Sequence, residues 1–255
     1  MVKIKEKQKC RFFYEKESEK YDEIRFSCKC RKMYNLLQQE IISNNLNNCK
    51  KIIDIGCGTG RFSVYLSKKG HDVISIDLSL EMLKILKQKS KKQNLNIKLV
   101  RADIEHLPFK KESFDGISSI FVLRHFKSID KIISEFGYII KKQGIITFDN
   151  MNTKFKFYDE LLQKTGKNTK KFSDYFFDKS YIEKILKRNN FKTQKTTSIL
   201  KMPMFITHFF TCKLKLKSIL YFIKKIEKRF NFGLLIFIKA KKKIVFVWIS
   251  KNYYH

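Results

Sequence analysis

Acidic residues are scarce in this sequence, and long apolar segments are missing. Of 255 residues, 24 are Asp or Glu and 55 are Lys or Arg, which gives a formal net charge of +31 at pH 7. A field of this size attracts polyanions without sequence preference, so RNA and an anionic membrane surface are both candidate partners. Lys, Asn and Ile are all abundant, as in proteins from AT-rich genomes, and part of the charge therefore has a coding origin.

No apolar run approaches the length of about 18 residues that a membrane-spanning helix requires. The sequence therefore predicts no transmembrane segment. The first ten residues, MVKIKEKQKC, are basic and lack the apolar core of a signal peptide. We expect a cytoplasmic protein.

Paired metal-binding cysteines are also absent. None of the six cysteines belongs to a CxxC pair, and no Cys/His cluster has the spacing of a zinc site. The spacing of Cys28 and Cys30 is too short for the common zinc knuckles. We therefore predict reduced thiols and no metal centre.

The sequence does contain a short apolar strand followed by glycines, Lys51–Gly60, which reads KIIDIGCGTG. An apolar, β-branched run of this kind is typical of a buried parallel strand. Glycine directly behind it permits a tight turn and lets a ligand approach bare backbone. The helical pattern of Arg61–Lys68 then places a helix N-terminus at the same point. Arg61 stands where the dinucleotide-binding fingerprint G-x-G-x-x-G would need a third glycine.

Three further pieces follow in order. His71–Asp77 predicts a second strand that ends in Asp77, an acid placed to accept hydrogen bonds from ribose hydroxyls. Ser79 is a plausible N-cap for a helix over 79–93. A third strand then leads into the stretch Arg101–Phe109, RADIEHLPF, and a fourth strand over 116–122 leads into Leu-Arg-His-Phe.

A helix over 129–140 and a fifth strand over 145–148 complete this part of the chain. Lys141, Lys142 and Gly144 indicate the C-terminal cap of that helix.

These pieces together resemble the class I S-adenosylmethionine-dependent methyltransferases. The resemblance covers about residues 50–152: the acid and glycines of KIIDIGCGTG match motif I, and the A-D-x-x-x-L-P-F stretch and the S-F-D of the fourth strand match later motifs. It implies a Rossmann-like α/β fold with a seven-stranded sheet, mostly parallel with one antiparallel C-terminal strand, and helices on both faces. It also implies S-adenosylmethionine as the cofactor.

The resemblance assigns roles residue by residue. The Asp54 carboxylate would suit the cationic sulfonium, Asp77 the ribose, and Asp103 the adenine amino group, with Ala102 and Ile104 beside the ring. Tyr21, in the "YD" pair of an N-terminal lid, would lie over the cofactor. The remaining predicted cofactor contacts are Gly56, Cys57, Gly58, Thr59, Gly60, Leu78 and Ser119.

The sequence gives fewer indications about the methyl acceptor. His125 follows the fourth strand, where ligands bind in open α/β sheets, and is the candidate catalytic base. Arg124 stands where many relatives have a first histidine. The chain has no D/N-P-P-Y/F motif after the fourth strand, which argues against the DNA amino-methyltransferases carrying that motif. It has no paired catalytic cysteines, which argues against cysteine-dependent RNA cytosine methylation. We expect a small-molecule acceptor for an O-, N- or C-methyltransferase, with an RNA methyltransferase and a non-catalytic cofactor-binding scaffold as alternatives.

We expect three regions: a helical lid over 1–46, the cofactor-binding core over 47–152, and the end of the sheet over 153–255. Strands are predicted at Phe191–Leu200 and Ile244–Ile249. Between them, about 203–243, apolar residues recur at helical spacing among lysines. This basic amphipathic insertion is predicted to cap the acceptor site, with a membrane contact or an RNA contact as the alternatives.

Overall fold

A computed structural model describes residues 2–26, 29–151, 153, 156, 174–199 and 235–244. Three helices precede the sheet: α1 (Val2–Glu17), α2 (Tyr21–Phe26) and α3 (Lys29–Leu46). Strands and helices then alternate through β1 (Lys51–Ile55), α4 (Arg61–Lys68), β2 (Asp72–Asp77), α5 (Leu80–Lys92), β3 (Lys98–Arg101) and β4 (Phe114–Ser119). A 3-10 turn (Leu123–His125), α6 (Asp130–Ile139), β5 (Ile140–Met151), α7 (Lys179–Arg188), β6 (Phe191–Ile199) and β7 (Leu235–Lys242) follow.

The seven strands form one sheet in the order β3-β2-β1-β4-β5-β7-β6. β7 pairs antiparallel with both β5 and β6, and the other pairs are parallel. The predicted fold class is therefore confirmed. The order reverses direction at β1 and β4, and their adjacent carboxyl ends create the crevice in which open α/β sheets bind ligands.

Apolar side chains cover both faces of the sheet, because successive residues of a strand point to opposite sides. In β1, Ile53 and Ile55 pack in the cluster with α6 and α7, whereas Ile52 packs in the cluster with α3, α4 and α5. This two-sided burial explains why β1 reads as a continuous apolar run rather than an alternating one.

The end of α6 differs from the prediction. The helix stops at Ile139, and the chain enters β5 directly, with Ile140 paired to Phe114. Gly144 is therefore a strand residue and not a helix cap. A Cβ at Gly144 would lie 2.6 Å from Ile140 Cγ1, so glycine is needed there for packing.

The last strand also differs from the prediction. β7 occupies Leu235–Lys242, within the range 203–243 predicted as a helical insertion, so the predicted limit of 243 was wrong. Phe237 packs in one core cluster and Ile238 and Ala240 in the other, as a central strand requires. The rest of the proposed insertion, 203–234, and residues 245–249 of the predicted last strand lie outside the described residues.

None of the helices in the described ranges combines the length and the apolar character needed to cross a bilayer. The cytoplasmic location stays a prediction.

Candidate active site

A cavity opens at the carboxyl ends of β1, β2 and β4, beneath α1 and α2. The strand ends form its floor, and the two N-terminal helices form its roof. Its floor includes Gly56, Gly58, Asp77, Leu78, Ala102, Asp103, Ile104, Phe121, Val122 and His125, and its roof includes Lys7, Cys10, Arg11, Tyr14 and Tyr21. Nine of the predicted site residues line this one space.

The turn after β1 leaves bare backbone facing the cavity. Gly56 and Gly58 have φ angles of 69° and 53°, which side chains rarely tolerate. A Cβ on Gly56 would meet Val122 Cγ2 at 2.2 Å, whereas nothing lies within 4 Å of a Cβ built on Gly58. Open space in front of an exposed glycine backbone fits a ligand with a compact amino-acid tail, such as S-adenosylmethionine.

The carboxylate of Asp77 lies at the end of β2 and is held by backbone. Oδ2 accepts from Gly58 N at 2.8 Å, and Oδ1 accepts from Ser79 N at 2.9 Å. Burial raises the pKa of Asp77 above its usual value, although these two hydrogen bonds oppose the shift. Each oxygen keeps a further lone pair, so the group can also accept hydrogen bonds from two adjacent hydroxyls.

The carboxylate of Asp103 contacts the roof of the cavity. The Lys7 ammonium of α1 donates to Asp103 Oδ2 at 2.6 Å and to Glu105 Oε2 at 2.5 Å. Partial burial would raise the pKa of Asp103, but Lys7 and the Glu105 N–H outweigh it and lower that pKa. Lys7 of α1 therefore contacts the same carboxylate, Asp103, that the resemblance assigns to the adenine amino group.

The roof is fastened to the glycine loop at a second point. Asp22 of α2 accepts a hydrogen bond from Thr59 Oγ1 at 2.6 Å and forms an ion pair with Lys89 of α5. Lys89 also donates to the carbonyl of Thr59 at 2.9 Å. The N-terminal helices thus cover the cavity, and polar contacts hold them there.

Five of the predicted cofactor contacts do not line the cavity. Asp54 lies behind the wall, 2% exposed, and accepts from Ser63 Oγ at 2.6 Å. Burial raises its pKa to about 6. Asp54 thus ties β1 to α4 and does not line the cavity, and its expected contact with the sulfonium stays a prediction.

The other four have packing or lid contacts. The Cys57 thiol is buried, which raises its pKa, and the Ser119 side chain is fully buried. Thr59 faces Asp22 of the lid. Gly60 is the N-cap of α4, and a Cβ there would lie 2.1 Å from Leu86 Cδ1. The absence of a side chain at Gly60 therefore lets α4 pack on α5. Motif I predicted where the loop lies, but it did not predict which residues of the loop face the cavity.

His125 lies at the other end of the cavity and is oriented from two sides. Its Nε2 lies 3.2 Å from the Tyr14 hydroxyl of α1, and its Nδ1 lies 3.6 Å from Asp174 Oδ1. Asp174 is also held by Arg124, which donates to both carboxylate oxygens. In the tautomer that carries its proton on Nδ1, Nε2 can accept a hydrogen bond from the Tyr14 hydroxyl. Burial raises the pKa of Tyr14, so this phenol stays protonated at neutral pH.

Phe121 follows β4 and lines the cavity. Its φ of 63° is unusual for a residue with a side chain, and Asp149 Oδ1 holds it there by accepting from its N–H at 2.7 Å. The ring lies between two guanidinium groups, with Arg61 Cζ at 5.2 Å and Arg124 Cζ at 5.6 Å from its centroid. Strained backbone of this kind is held by its surroundings and recurs at functional sites.

No motif or spacing in the sequence singles out Lys7, Tyr14, Phe121 or Asp174. Tyr14 and His125 are 111 positions apart, and Arg124 and Asp174 are 50 positions apart. No local spacing connects them. The one signal in the sequence was Arg124, which stands where many relatives have a histidine. Its positive charge favours an acidic partner.

Residues 53–148 match a family model described as a methyltransferase domain. An uncharacterized protein of Methanocaldococcus jannaschii is 28% identical over 223 residues, covering 78% of this chain and 84% of that protein. Malonyl-[acyl-carrier protein] O-methyltransferase of Hamiltonella defensa is 37% identical, covering 39% of this chain and 37% of the relative. Ubiquinone biosynthesis O-methyltransferase of Coxiella burnetii is 33% identical, covering 43% and 47%. The chain therefore matches less than half the length of these two named relatives.

Solved structures share the fold over nearly the whole chain. Magnesium protoporphyrin IX methyltransferase of Synechocystis PCC 6803, with bound S-adenosylhomocysteine, superposes with a TM-score of 0.68 at 16% identity, covering 93% of this chain and 100% of that one. A possible histamine N-methyltransferase of Thermotoga maritima superposes with a TM-score of 0.66 at 18% identity, covering 91% and 99%. At such identities the likeness concerns the fold.

Proposed function

We propose, from the premise that this chain carries a class I S-adenosylmethionine-dependent methyltransferase domain, that it methylates an oxygen or nitrogen atom of a small molecule. The observation that carries the proposal is His125, held between Tyr14 and Asp174 at the end of the cavity away from Asp103. A positioned base is needed only where the nucleophile has a proton to lose, as a hydroxyl or an ammonium group does.

The strand order supports one orientation of the cofactor. Asp103 follows β3, Asp77 ends β2, and Gly56 and Gly58 follow β1, so these groups lie in sequence along one edge of the sheet. The adenine would lie at Asp103, between Ala102 and Ile104, and the ribose would lie on Asp77. The amino-acid tail would then cross the glycine turn toward Tyr21. When bound, the cofactor supplies an electrophilic methyl group on a cationic sulfur.

The chain's own part in the reaction is alignment and proton removal. The N-terminal helices exclude water, and the cavity that Phe121 and Val122 help to line would hold the acceptor atom in line with the methyl group. His125 Nε2 accepts the acceptor's proton in place of the Tyr14 hydroxyl. The carboxylate of Asp174, 3.6 Å from Nδ1, then stabilises the imidazolium that forms.

The names of the relatives favour small or carrier-bound acceptors. The curated relatives described above are O-methyltransferases by name. They lend no support to the RNA alternative. For this chain the acceptor itself is not assigned.

Mass spectrometry with a deuterium-labelled methyl donor tests the proposal. Wild-type protein is incubated with a small-molecule extract and, separately, with total RNA, and each is searched for the labelled methyl group. The matched control is the variant His125→Asn, which keeps a polar side chain but removes the base. We expect labelled small molecules with wild-type protein and at least about 100-fold less with the variant.

Label found only in RNA would favour the RNA alternative. Label in neither pool, from a protein that binds S-adenosylhomocysteine, would favour a scaffold. Equal labelling by wild type and by His125→Asn would remove His125 from the mechanism.

A further inference from the structure

The segment from Asp174 to Asp178 is neither helix nor strand, although it carries the acid of the proposed acceptor end. The Asp174 side chain is 4% exposed, and Phe177 is buried in the cluster with α6 and α7. Buried backbone outside a regular element still needs hydrogen-bond partners. The partners of this segment therefore show what holds Asp174 in place.

The side chain of Asn150 supplies two of these partners. Its Nδ2 donates to the carbonyl of Phe177 at 2.7 Å, and its Oδ1 accepts from the N–H of Phe177 at 3.3 Å. Asn150 belongs to the last turn of the sheet edge at the carboxyl end of β5 and is buried. Its carboxamide thus binds both backbone groups of Phe177, as a neighbouring strand would.

A second contact joins the segment to the turn after β4. The N–H of Tyr175 donates to the carbonyl of Arg124 at 2.7 Å, and the Arg124 guanidinium pairs with both oxygens of Asp174. Asp174 lies three residues before Phe177, a span of at most about 10 Å in an extended chain. A shift at Phe177 therefore reaches Asp174, whose Oδ1 lies 3.6 Å from His125 Nδ1.

The residue before Asn150 in β5 acts on the other loop of the proposed acceptor end. Asp149 Oδ1 accepts from the N–H of Phe121 at 2.7 Å, and Phe121 precedes His125 by four residues. Successive strand residues point to opposite faces of the sheet, so Asp149 and Asn150 reach in opposite directions. The carboxyl end of β5 thus holds both the loop that carries His125 and the segment that carries Asp174.

We propose that Asn150 is a positioning residue, which holds Asp174 close enough to His125 to stabilise the imidazolium. This inference rests on the function proposed above, in which His125 accepts the acceptor's proton. Asn150 does not line the cavity, so it acts through Asp174 rather than on a ligand. Loss of its two hydrogen bonds frees the backbone of Phe177, and the carboxylate of Asp174 then moves away from Nδ1.

NMR of the His125 ring tests this inference without an acceptor. Protein labelled with ¹³C in its five histidines gives one ring Cε1–H cross-peak for each, and His125→Asn identifies that of His125. We expect Asn150→Ala and Asp174→Asn to move this cross-peak in the same direction, because both take the carboxylate away from Nδ1. In the Asp174→Asn background, Asn150→Ala should add less than about a quarter of its own shift, since the acid through which it acts is gone. Asn150→Gln keeps the carboxamide and should restore part of the wild-type position.

Transfer of a deuterium-labelled methyl group from S-adenosylmethionine to the small-molecule extract gives a second readout. Asn150→Ala should lower it by about 3- to 10-fold, but by less than about twofold in the Asp174→Asn background. S-adenosylhomocysteine affinity, measured by calorimetry, should not change. The matched control is Asn45→Ala, because Asn45 is equally buried and donates to Thr147 of the same strand at 3.0 Å. It should leave the cross-peak and the transfer near their wild-type values.

The inference is overturned if Asn150→Ala leaves the His125 cross-peak at its wild-type position, or if its effects are equal in the two backgrounds. It is also overturned if Asn45→Ala moves the cross-peak as far, since a general loss of packing would then suffice. If Asn150→Ala does not fold, Asn150→Asp, which keeps an acceptor for the N–H of Phe177, gives the same comparison. Wild-type protein that transfers no methyl group would overturn the proposed function itself, whereas an unmoved cross-peak with transfer intact overturns only the role of Asn150.

Discussion

The two ends of the cavity are built by different means. At the proposed cofactor end, backbone holds the polar groups: Asp77 accepts from the N–H groups of Gly58 and Ser79, and the loop that positions it follows β1 directly. At the proposed acceptor end, side chains hold one another: Tyr14 contacts His125, which lies beside Asp174. A group held by nearby backbone is specified locally. A group held by side chains depends on distant segments packing correctly, and the two ends should therefore respond differently to substitution.

The largest effect on binding is expected at Asp77. Asp77→Ala removes a charged acceptor from the proposed ribose site and should weaken S-adenosylhomocysteine binding by about 1–3 kcal/mol, measured by calorimetry. Asp72→Ala, at the opposite end of the same strand, is the matched control and should bind normally. Unchanged affinity in folded Asp77→Ala would mean that the cofactor end is not organised around this residue.

The acceptor end should show the reverse pattern. Asp174→Asn removes the charge that stabilises a protonated His125 and leaves the Arg124 guanidinium unpaired. Turnover should fall by about 10- to 100-fold, with S-adenosylhomocysteine affinity unchanged and turnover partly rescued in Asp174→Glu. Asp178→Asn, an exposed acid close by, is the control. Parallel losses of turnover and cofactor affinity would show that the two ends are not separable.

The next substitution tests whether Asp54 supports the proposed cofactor end or contacts the ligand there. Burial raises its pKa from 3.8 to about 6. A raised folded-state pKa means that the pH-dependent cost of Asp54 is absent below about pH 4, grows as the pH rises from 4 to 6, and is complete above 6. This contribution to the free energy of unfolding is roughly 2–3 kcal/mol between those limits.

Asp54→Asn keeps an acceptor for Ser63 and should remove that loss. Urea unfolding at pH 4 and pH 7 measures the difference between variant and wild type at each pH. The variant should gain on wild type as pH rises, with S-adenosylhomocysteine affinity changed by less than about threefold. A large loss of affinity would instead make Asp54 a cofactor contact.

The smallest effect is expected where the lid meets the cofactor end. Lys7 shares Asp103 with the proposed adenine amino group. Lys7→Met should therefore raise S-adenosylhomocysteine affinity by about two- to fivefold, the scale of a partly exposed ion pair. Lys9→Met, exposed on the same helix, should change nothing. Weaker binding would mean that Lys7 closes over bound adenine rather than competing with it.

Much of the cofactor end could be predicted, because its signals are short-range. The apolar run of β1, the glycines behind it and the acid at the end of β2 were all visible along the chain. The fold followed, since strands alternating with helices leave few arrangements. The sequence could not predict which residue of the loop faces the cavity. Gly58 and Thr59 are neighbours, yet Gly58 lines the cavity and Thr59 contacts Asp22 of α2.

The end of the chain shows where local patterns become ambiguous. Helical spacing and strand alternation both place apolar residues at short intervals, and the segment at Leu235–Lys242 was assigned to the helical insertion. Pairing with β5 on one side and β6 on the other made it a central strand. Backbone pairing of this kind is long-range and outweighs intrinsic propensity.

The sequence by itself determined the first six strands, the glycine turn and the acids that follow the strands, because each depends on residues within a few positions of one another. Tertiary structure alone decided the rest of the site. It brought Tyr14 and Asp174 to His125, set Lys7 on Asp103, and placed Arg61 against Phe121. These contacts join segments far apart in the chain, and their geometry follows from how the lid and the loops pack on the sheet.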